Sequence, residues 1–379
     1  MGNGHRRKAY TFFFSAVRVS AYHTQAAKKR ESLFTLTKQR SISTVFPTCE
    51  NAIWRPLPAL SLDGVLMADN SPLILSFGSV NIDLTVGVET LPKAGETQHA
   101  GSYTVGLGGK GANQAAAAAR LCRNHPIRVA LAGRTGTDSF ATLARDTLTT
   151  FGVECSPLLE DREHATGIAL IHVDKRGENC ITVVGGANQA VSETDIRVAS
   201  PLLKTTHVLL LQLECPLPAV LAAAQVAHAH GGLVILDPAP APEGDLPEEL
   251  WQNTDIVTPN ETETERLTGI RPETPEAAAR AAHSLRNKGA KAALIKMGGR
   301  GTYWQDAKGE GFIPPFPVNP IDTVAAGDCF NAGLAVALTL NYSLAQAVRF
   351  ASACGALATT RKGAADAAPT WEEVQNILA

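Results

Sequence analysis

An acidic side chain set at the mouth of a helix is the group in this chain best placed to do chemistry. In Asp322-Thr-Val-Ala-Ala-Gly-Asp-Cys-Phe-Asn-Ala-Gly333, Asp328 follows a run of small residues and opens an apolar stretch, 330–340, that reads as a helix. The N–H groups of Ala325, Ala326, Gly327 and Asp328 then lack intrahelical acceptors. With the positive end of the helix dipole they make an anion hole suited to a phosphate. A carboxylate beside a phosphate can take the proton of a hydroxyl that attacks phosphorus. The plainer reading is an Asp-capped helix after a glycine-containing turn.

Other segments offer matching chemistry. Asn81 and Asp83, two apart in Gly78-Ser-Val-Asn-Ile-Asp83, can project to one side and meet a polyhydroxylated ligand, or serve as turn residues. Gly106-Leu-Gly-Gly-Lys-Gly-Ala-Asn113 is neither a P-loop nor a dinucleotide fingerprint. Its glycines, Gly109 and Gly111 among them, let backbone approach a ligand closely, with Lys110 and Asn113 at the start of an Ala-rich helix. Glu214 stands at the tip of an apolar strand, where it can meet a ligand or cap the helix after Pro216. Asn260 and Glu263, three apart at a helix start, suit a hydrated Mg²⁺ or form a capping box. Lys296-Met-Gly-Gly-Arg-Gly301 is either a nucleotide-wrapping loop, with Gly298, Gly299 and Gly301 close to the ligand, or a hairpin turn. Arg361-Lys-Gly363 leaves carbonyls free after a helix, for a monovalent cation or simply to end it.

The elements that position these groups alternate. Apolar strands are expected at 73–77, 128–132, 208–213, 233–236, 256–258 and 292–296, with helices at 110–122, 138–151, 218–229, 275–288 and 345–360. That rhythm predicts an α/β fold, a three-layer, doubly wound, mostly parallel sheet with ligands at the strand C-termini. Segments 84–105 and 168–184 break the rhythm with short strand-like pieces, as a small antiparallel β lid would.

Composition narrows the partners. The 379 residues carry a formal charge of −2, but residues 1–49 hold nine Lys/Arg and one acid, leaving 25 basic against 35 acidic residues for the rest. A body that acidic disfavours nucleic acid. Seven scattered cysteines without a CxxC read as reduced thiols, which argues for an intracellular, cytoplasmic protein. No apolar run is long enough to predict a membrane span. Residues 1–70, basic and Ser/Thr-rich, read either as a mitochondrial or plastid transit peptide or as an over-extended start before Met67. The folded body is expected over 71–379.

Taken together, in order and spacing, these segments resemble the PfkB-type carbohydrate kinases, and within them the ribokinase branch, over about 73–378. The quoted carriers are Asp322–Gly333, GGKGANQAA at 108–116, GSVNID, LQLECP, DPAPA, TPNETE and TRKGA. The resemblance implies ATP-dependent phosphorylation of D-ribose at O5, with Asp328 as general base and Ala325 to Gly327 as the anion hole. It implies a sugar site of Asn81, Asp83, Gly109, Lys110, Gly111, Asn113 and Glu214. An ATP site would comprise Asn260, the Lys296–Gly301 loop, Gly327 and Ser352. Asn260 and Glu263 would organise Mg²⁺ through water, and Asp322 with Val324, Ala358, Arg361, Gly363 and Ala367 would surround an activating K⁺. A homodimer through the lid is also implied. The alternatives are a related kinase for deoxyribose, fructose or a nucleoside, or a silent sugar-binding regulator. Three positions depart from the family pattern: Lys296 stands where Thr is frequent, Cys329 replaces the usual Thr and is expected to expose the site to oxidation, and Ala367 falls where Ser often completes the cation site.

Overall fold

The computed structural model describes residues 71–379; the leader reading of residues 1–70 lies outside them. Thirteen strands form among the described residues: β1 (Leu73–Phe77), β2 (Asn81–Gly87), β3 (Tyr103–Gly108), β4 (Arg128–Thr135), β5 (Leu158–Glu160), β6 (Gly167–Val173), β7 (Asn179–Val184), β8 (Val208–Leu211), β9 (Leu233–Leu236), β10 (Ile256–Val257), β11 (Ala292–Lys296), β12 (Thr302–Gln305) and β13 (Glu310–Ile313). Nine of them make one sheet in the order β13-β12-β11-β10-β9-β8-β1-β4-β5. Pairing is parallel from β11 through to β5, and at the other edge β12 pairs antiparallel with both β11 and β13.

Side-chain alternation explains why both faces are covered. Leu73, Leu75 and Phe77 of β1 pack into one buried cluster, while Ile74 enters the other. In β11, Ala293 and Ile295 join the first cluster while Ala292 and Leu294 join the second. A strand apolar on both faces must lie between two helical layers. The chain runs outward from β1 to β4 and β5, then returns to β8 on the other side and proceeds to β11. That reversal leaves a crevice beyond the C-terminal ends of β1 and β8, where ligands of such sheets bind.

Four strands form the second sheet, in the order β3-β2-β6-β7. The expected antiparallel lid is therefore a mixed one: its central pair, β2 and β6, is parallel, and the outer pairs are antiparallel. The chain leaves the large sheet twice to build this lid, so two equivalent exits bring two strands side by side in the same direction. Strand β2 also starts earlier than expected, at Asn81, which places Asn81 and Asp83 inside the lid sheet.

The helix carrying Asp328 spans Ala326–Thr339 and begins earlier than the apolar run suggests. Ala325 adopts a left-handed backbone (φ 57°), and that reversal starts the helix without a side-chain cap. Among the described residues, no helix is long and apolar enough to cross a membrane.

Candidate active site

The groups singled out in the sequence converge on the crevice at the reversal point. Asp328 sits in the first turn of its helix and is 5% exposed. Its two oxygens are held separately: Asn113 Nδ2 donates to Oδ2 and Gln114 Nε2 to Oδ1, each at 3.1 Å. Both donors come from the helix Lys110–Leu121, so the glycine-rich loop and the acidic turn meet directly. Beside the carboxylate, the Ala326 N–H bends back toward the Thr323 carbonyl at 3.4 Å. The N–H groups of Ala325, Gly327 and Asp328 have no protein acceptor among the described residues, so three of the four expected anion-hole donors stay open.

Gln114 and Asp237 take part in this arrangement although neither received a role from the sequence. Gln114 Nε2 also donates to Asp237 Oδ2 at 3.1 Å, and its Oε1 accepts from Gln212 Nε2 at 2.8 Å. Asp237 Oδ1 in turn holds Lys296 Nζ at 3.0 Å, and Lys296 lies 5.9 Å from the centre of the Phe330 ring. Gln212, Asp237 and Thr258 each follow the last residue of β8, β9 or β10, and Lys296 ends β11. The parallel sheet therefore lines these side chains up along one edge.

Charge is concentrated here among buried side chains. Burial lifts the Asp328 carboxyl to about 6; Lys110 pulls it down, Asp237 pushes it up, and the amides of Gln114 and Asn113 favour the ionised form. Asp83 is also lifted to about 6, by burial first and then by Glu214 and Asp328. Burial works against the Lys110 ammonium, but Asp328, Asp237, Glu214 and Glu263 outweigh it and raise its pKa. The site is thus a patch of carboxylates kept partly ionised by lysines.

The glycines of the Lys110 loop serve backbone packing. Gly109 has φ 86°, and a Cβ there would stand 2.7 Å from the Asn81 nitrogen. One at Gly111 would stand 2.6 Å from the Ser79 nitrogen. Their absence of side chains lets the helix start press against the β1–β2 turn. Glu214 does not cap the helix after Pro216. Its Oε2 accepts from the Ser79 hydroxyl and from the Lys110 N–H, the latter at 3.1 Å, so it caps the Lys110 helix instead.

A cavity of about 780 Å³ opens from Asp328 and Lys110 along the large sheet. Its wall includes Asn260, Glu263, Lys296, Gly298, Gly299, Gly301, Ala325, Ala326, Gly327 and Ser352, so the residues expected at a nucleotide site share one surface. The Lys296–Gly301 segment is both things weighed in the sequence: it is the turn of the β11–β12 hairpin and it lines the cavity. Asn260 and Glu263 form a reciprocal capping box, with Asn260 N–H on Glu263 Oε2 at 2.8 Å and Glu263 N–H on Asn260 Oδ1 at 2.9 Å. Burial raises the Glu263 carboxyl. These oxygens keep spare lone pairs toward the cavity, a hard donor set that fits hydrated Mg²⁺.

Asp322 gathers the loops expected around a monovalent cation. Its Oδ1 accepts from the Val324 N–H at 3.0 Å and its Oδ2 from the Gly363 N–H at 3.2 Å. Ala358 ends the neighbouring helix, Ala367 is fully buried, and the Arg361 side chain pairs with Glu373. Convergence of these segments fits a cation held by main-chain oxygens. Cys329 overturns an expectation: it is 1% exposed, and burial together with Asp328 pushes its thiol far up, which makes it inert rather than prone to oxidation.

A doubly wound sheet with an acid-bearing helix mouth beside a large crevice fits a class, enzymes that move a phosphoryl group onto a small hydroxylated acceptor. Residues 71–371 match the pfkB family carbohydrate kinase model, and the chain belongs to that family. The ribokinase of Haemophilus influenzae is 38% identical over 301 residues, spanning 79% of this chain and 96% of the relative. The deoxyribokinase of Salmonella typhimurium is 34% identical over 305 residues, 80% of this chain and 98% of the relative. The structure of Arabidopsis thaliana ribokinase complexed with ribose and ATP superposes with a TM-score of 0.74 at 33% identity, covering 81% of this chain and 99% of the other.

Proposed function

We propose that this chain phosphorylates D-ribose at O5 with ATP, giving D-ribose 5-phosphate and ADP by direct in-line transfer. The observation that carries the reading is Asp328: a buried carboxylate, clamped by Asn113 and Gln114, beside the open N–H groups of Gly327 and its own backbone at the head of the cavity. Asp328 takes the proton of the sugar hydroxyl as the hydroxyl oxygen bonds to the γ-phosphorus and the bond to ADP breaks. The Gly327 turn and Lys296 meet the charge on the transferring group, and positioning supplies much of the remaining acceleration. Asn81, Asp83, Gly109, Lys110, Gly111, Asn113 and Glu214 hold the sugar. The buried, unpartnered Oδ1 of Asn113 supports this, since it needs a hydroxyl donor.

When bound, Mg²⁺ neutralises phosphate charge, with Asn260 and Glu263 reaching it through water. The Asp322, Val324, Ala358, Arg361, Gly363 and Ala367 segments would hold K⁺, whose charge would stiffen the turn that carries the anion hole. The lid closes over the sugar and excludes water. Its exposed Tyr103, Ile181 and Val183 offer an apolar strip through which two copies pair as a homodimer.

The Salmonella relative gives deoxyribose a specific claim as the alternative acceptor. A coupled ADP-release assay over ribose, deoxyribose, fructose and a nucleoside, with and without K⁺, separates the two. Ribose is expected to give the highest kcat/KM, and a preference for another acceptor would replace this substrate.

A further inference from the structure

Asn188 lies in the short turn Gly186–Ala190 that follows lid strand β7, and only 1% of it reaches solvent. Its amide is fully used. Oδ1 accepts the Val80 N–H at 2.8 Å, while Nδ2 donates to the Val80 carbonyl at 3.0 Å and to Asn81 Oδ1 at 2.8 Å. The two Val80 contacts decide which end of the amide is which, because a backbone N–H only donates and a carbonyl only accepts. That polarity passes one residue further. Asn81 must show its oxygen to Asn188, so its Nδ2, which has no protein acceptor among the described residues, is the end left for a ligand.

The surroundings are shaped for this contact. A Cβ at Gly167, the first residue of β6, would collide with Asn81 Oδ1 and Asn188 Nδ2. The next residue of the turn, Gln189, donates from Nε2 to the Glu214 carbonyl at 2.9 Å. One turn thus braces two residues of the sugar site from behind, while Asn188 is absent from the wall of the nucleotide cavity.

We propose that Asn188 is a positioning residue for sugar recognition, fixing Asn81 as a hydrogen-bond donor toward a sugar oxygen. This rests on Asn81 being a sugar ligand, as proposed above. The discriminating variant is Asn188→Asp, assayed at neutral pH or above. It keeps the acceptor for the Val80 N–H but turns an oxygen toward both the Val80 carbonyl and Asn81 Oδ1, of which only the Asn81 amide can rotate in response. Asn81 must then rotate its amide and present an acceptor where the sugar met a donor.

Steady-state kinetics are expected to show the sugar KM rising about tenfold, with the ATP KM within about twofold of wild type. In an Asn81→Ala background the same substitution should add no further rise. Asn188→Ala, which removes the repulsion, serves if the acidic variant does not fold and should show the same split between sugar and ATP. Equal rises in both KM values, or a full effect that persists without the Asn81 side chain, would overturn the positioning role. An Asn81→Ala enzyme with unchanged sugar KM would instead remove the sugar-site reading beneath it.

Discussion

Gln114 Nε2 stands 3.1 Å from Asp328 Oδ1 and 3.1 Å from Asp237 Oδ2, so a single amide joins two buried carboxylates. With Gln212 held on its oxygen, Gln114 cannot turn away from either without leaving a buried polar group unpaired. The orientation of Asp328 is therefore built into the fold before any substrate arrives.

This arrangement sets a pH dependence. A base must be ionised to accept a proton, and Asp328 is lifted to about 6, so kcat/KM should climb as pH rises through about 6 and fall below it. Asp83, lifted to about 6 as well, titrates in the same window and steepens the limb. Gln114→Met removes a donor that favours the ionised form, so the acid limb should move to higher pH by about one unit. Asp237, Lys110 and Asp83 all act on this carboxylate and stay in place in that variant. A pH–rate profile checks the direction, and a downward shift would be the wrong sign.

Lys296 links the nucleotide side to the same network through Asp237, at 3.0 Å. Replacing it with Met takes a positive charge from the cavity wall and leaves Asp237 without its cation. ATP KM should rise about tenfold with sugar KM little changed, and stability should fall by about 3 kcal/mol because a buried charge loses its partner. Adding Asp237→Asn should recover part of the thermal midpoint while leaving ATP binding weak. Calorimetric melts and steady-state kinetics together test both statements.

Two glycines that look alike in sequence should behave differently. Gly111→Ala places a methyl against the Gly78–Ser79 backbone, which cannot yield as a flexible side chain would. We expect it to cost about 2–4 kcal/mol and to lower the thermal midpoint sharply. Gly299 has open space around a Cβ and no left-handed backbone, so Gly299→Ala should leave the melt nearly unchanged.

Alkylation of the native protein, mapped by mass spectrometry, should modify Cys180 early and spare Cys329. Cys180 is exposed, whereas Cys329 is buried with its thiol pKa pushed far up. Labelling of Cys329 should require denaturant.

The local parts of this picture were legible in sequence, and the long-range parts were not. Strand β1 falls on its expected residues because four apolar side chains within five residues, with only Ser76 between them, suit a strand covered on both faces. Asp328 at a helix mouth was readable from small residues before an apolar run. By contrast, Gln114 reaches Asp328 across 214 positions and Asn188 reaches Val80 across 108, distances over which no periodicity carries information. Glu214 illustrates a middle case. Its place at a strand tip was evident, but the helix it caps begins 104 positions away rather than just after Pro216. The Cys329 expectation failed for a related reason, since burial is a property of the packed core and outweighs the chemistry of the side chain.

The most direct test of Asp328 as the base is turnover of an Asp328→Asn enzyme, with sugar and nucleotide affinity measured alongside by calorimetry. A fall in kcat on the order of 10²–10⁴-fold with affinities largely retained is the expected result. Turnover close to wild type, from a protein in which that side chain carries no charge, would contradict the account.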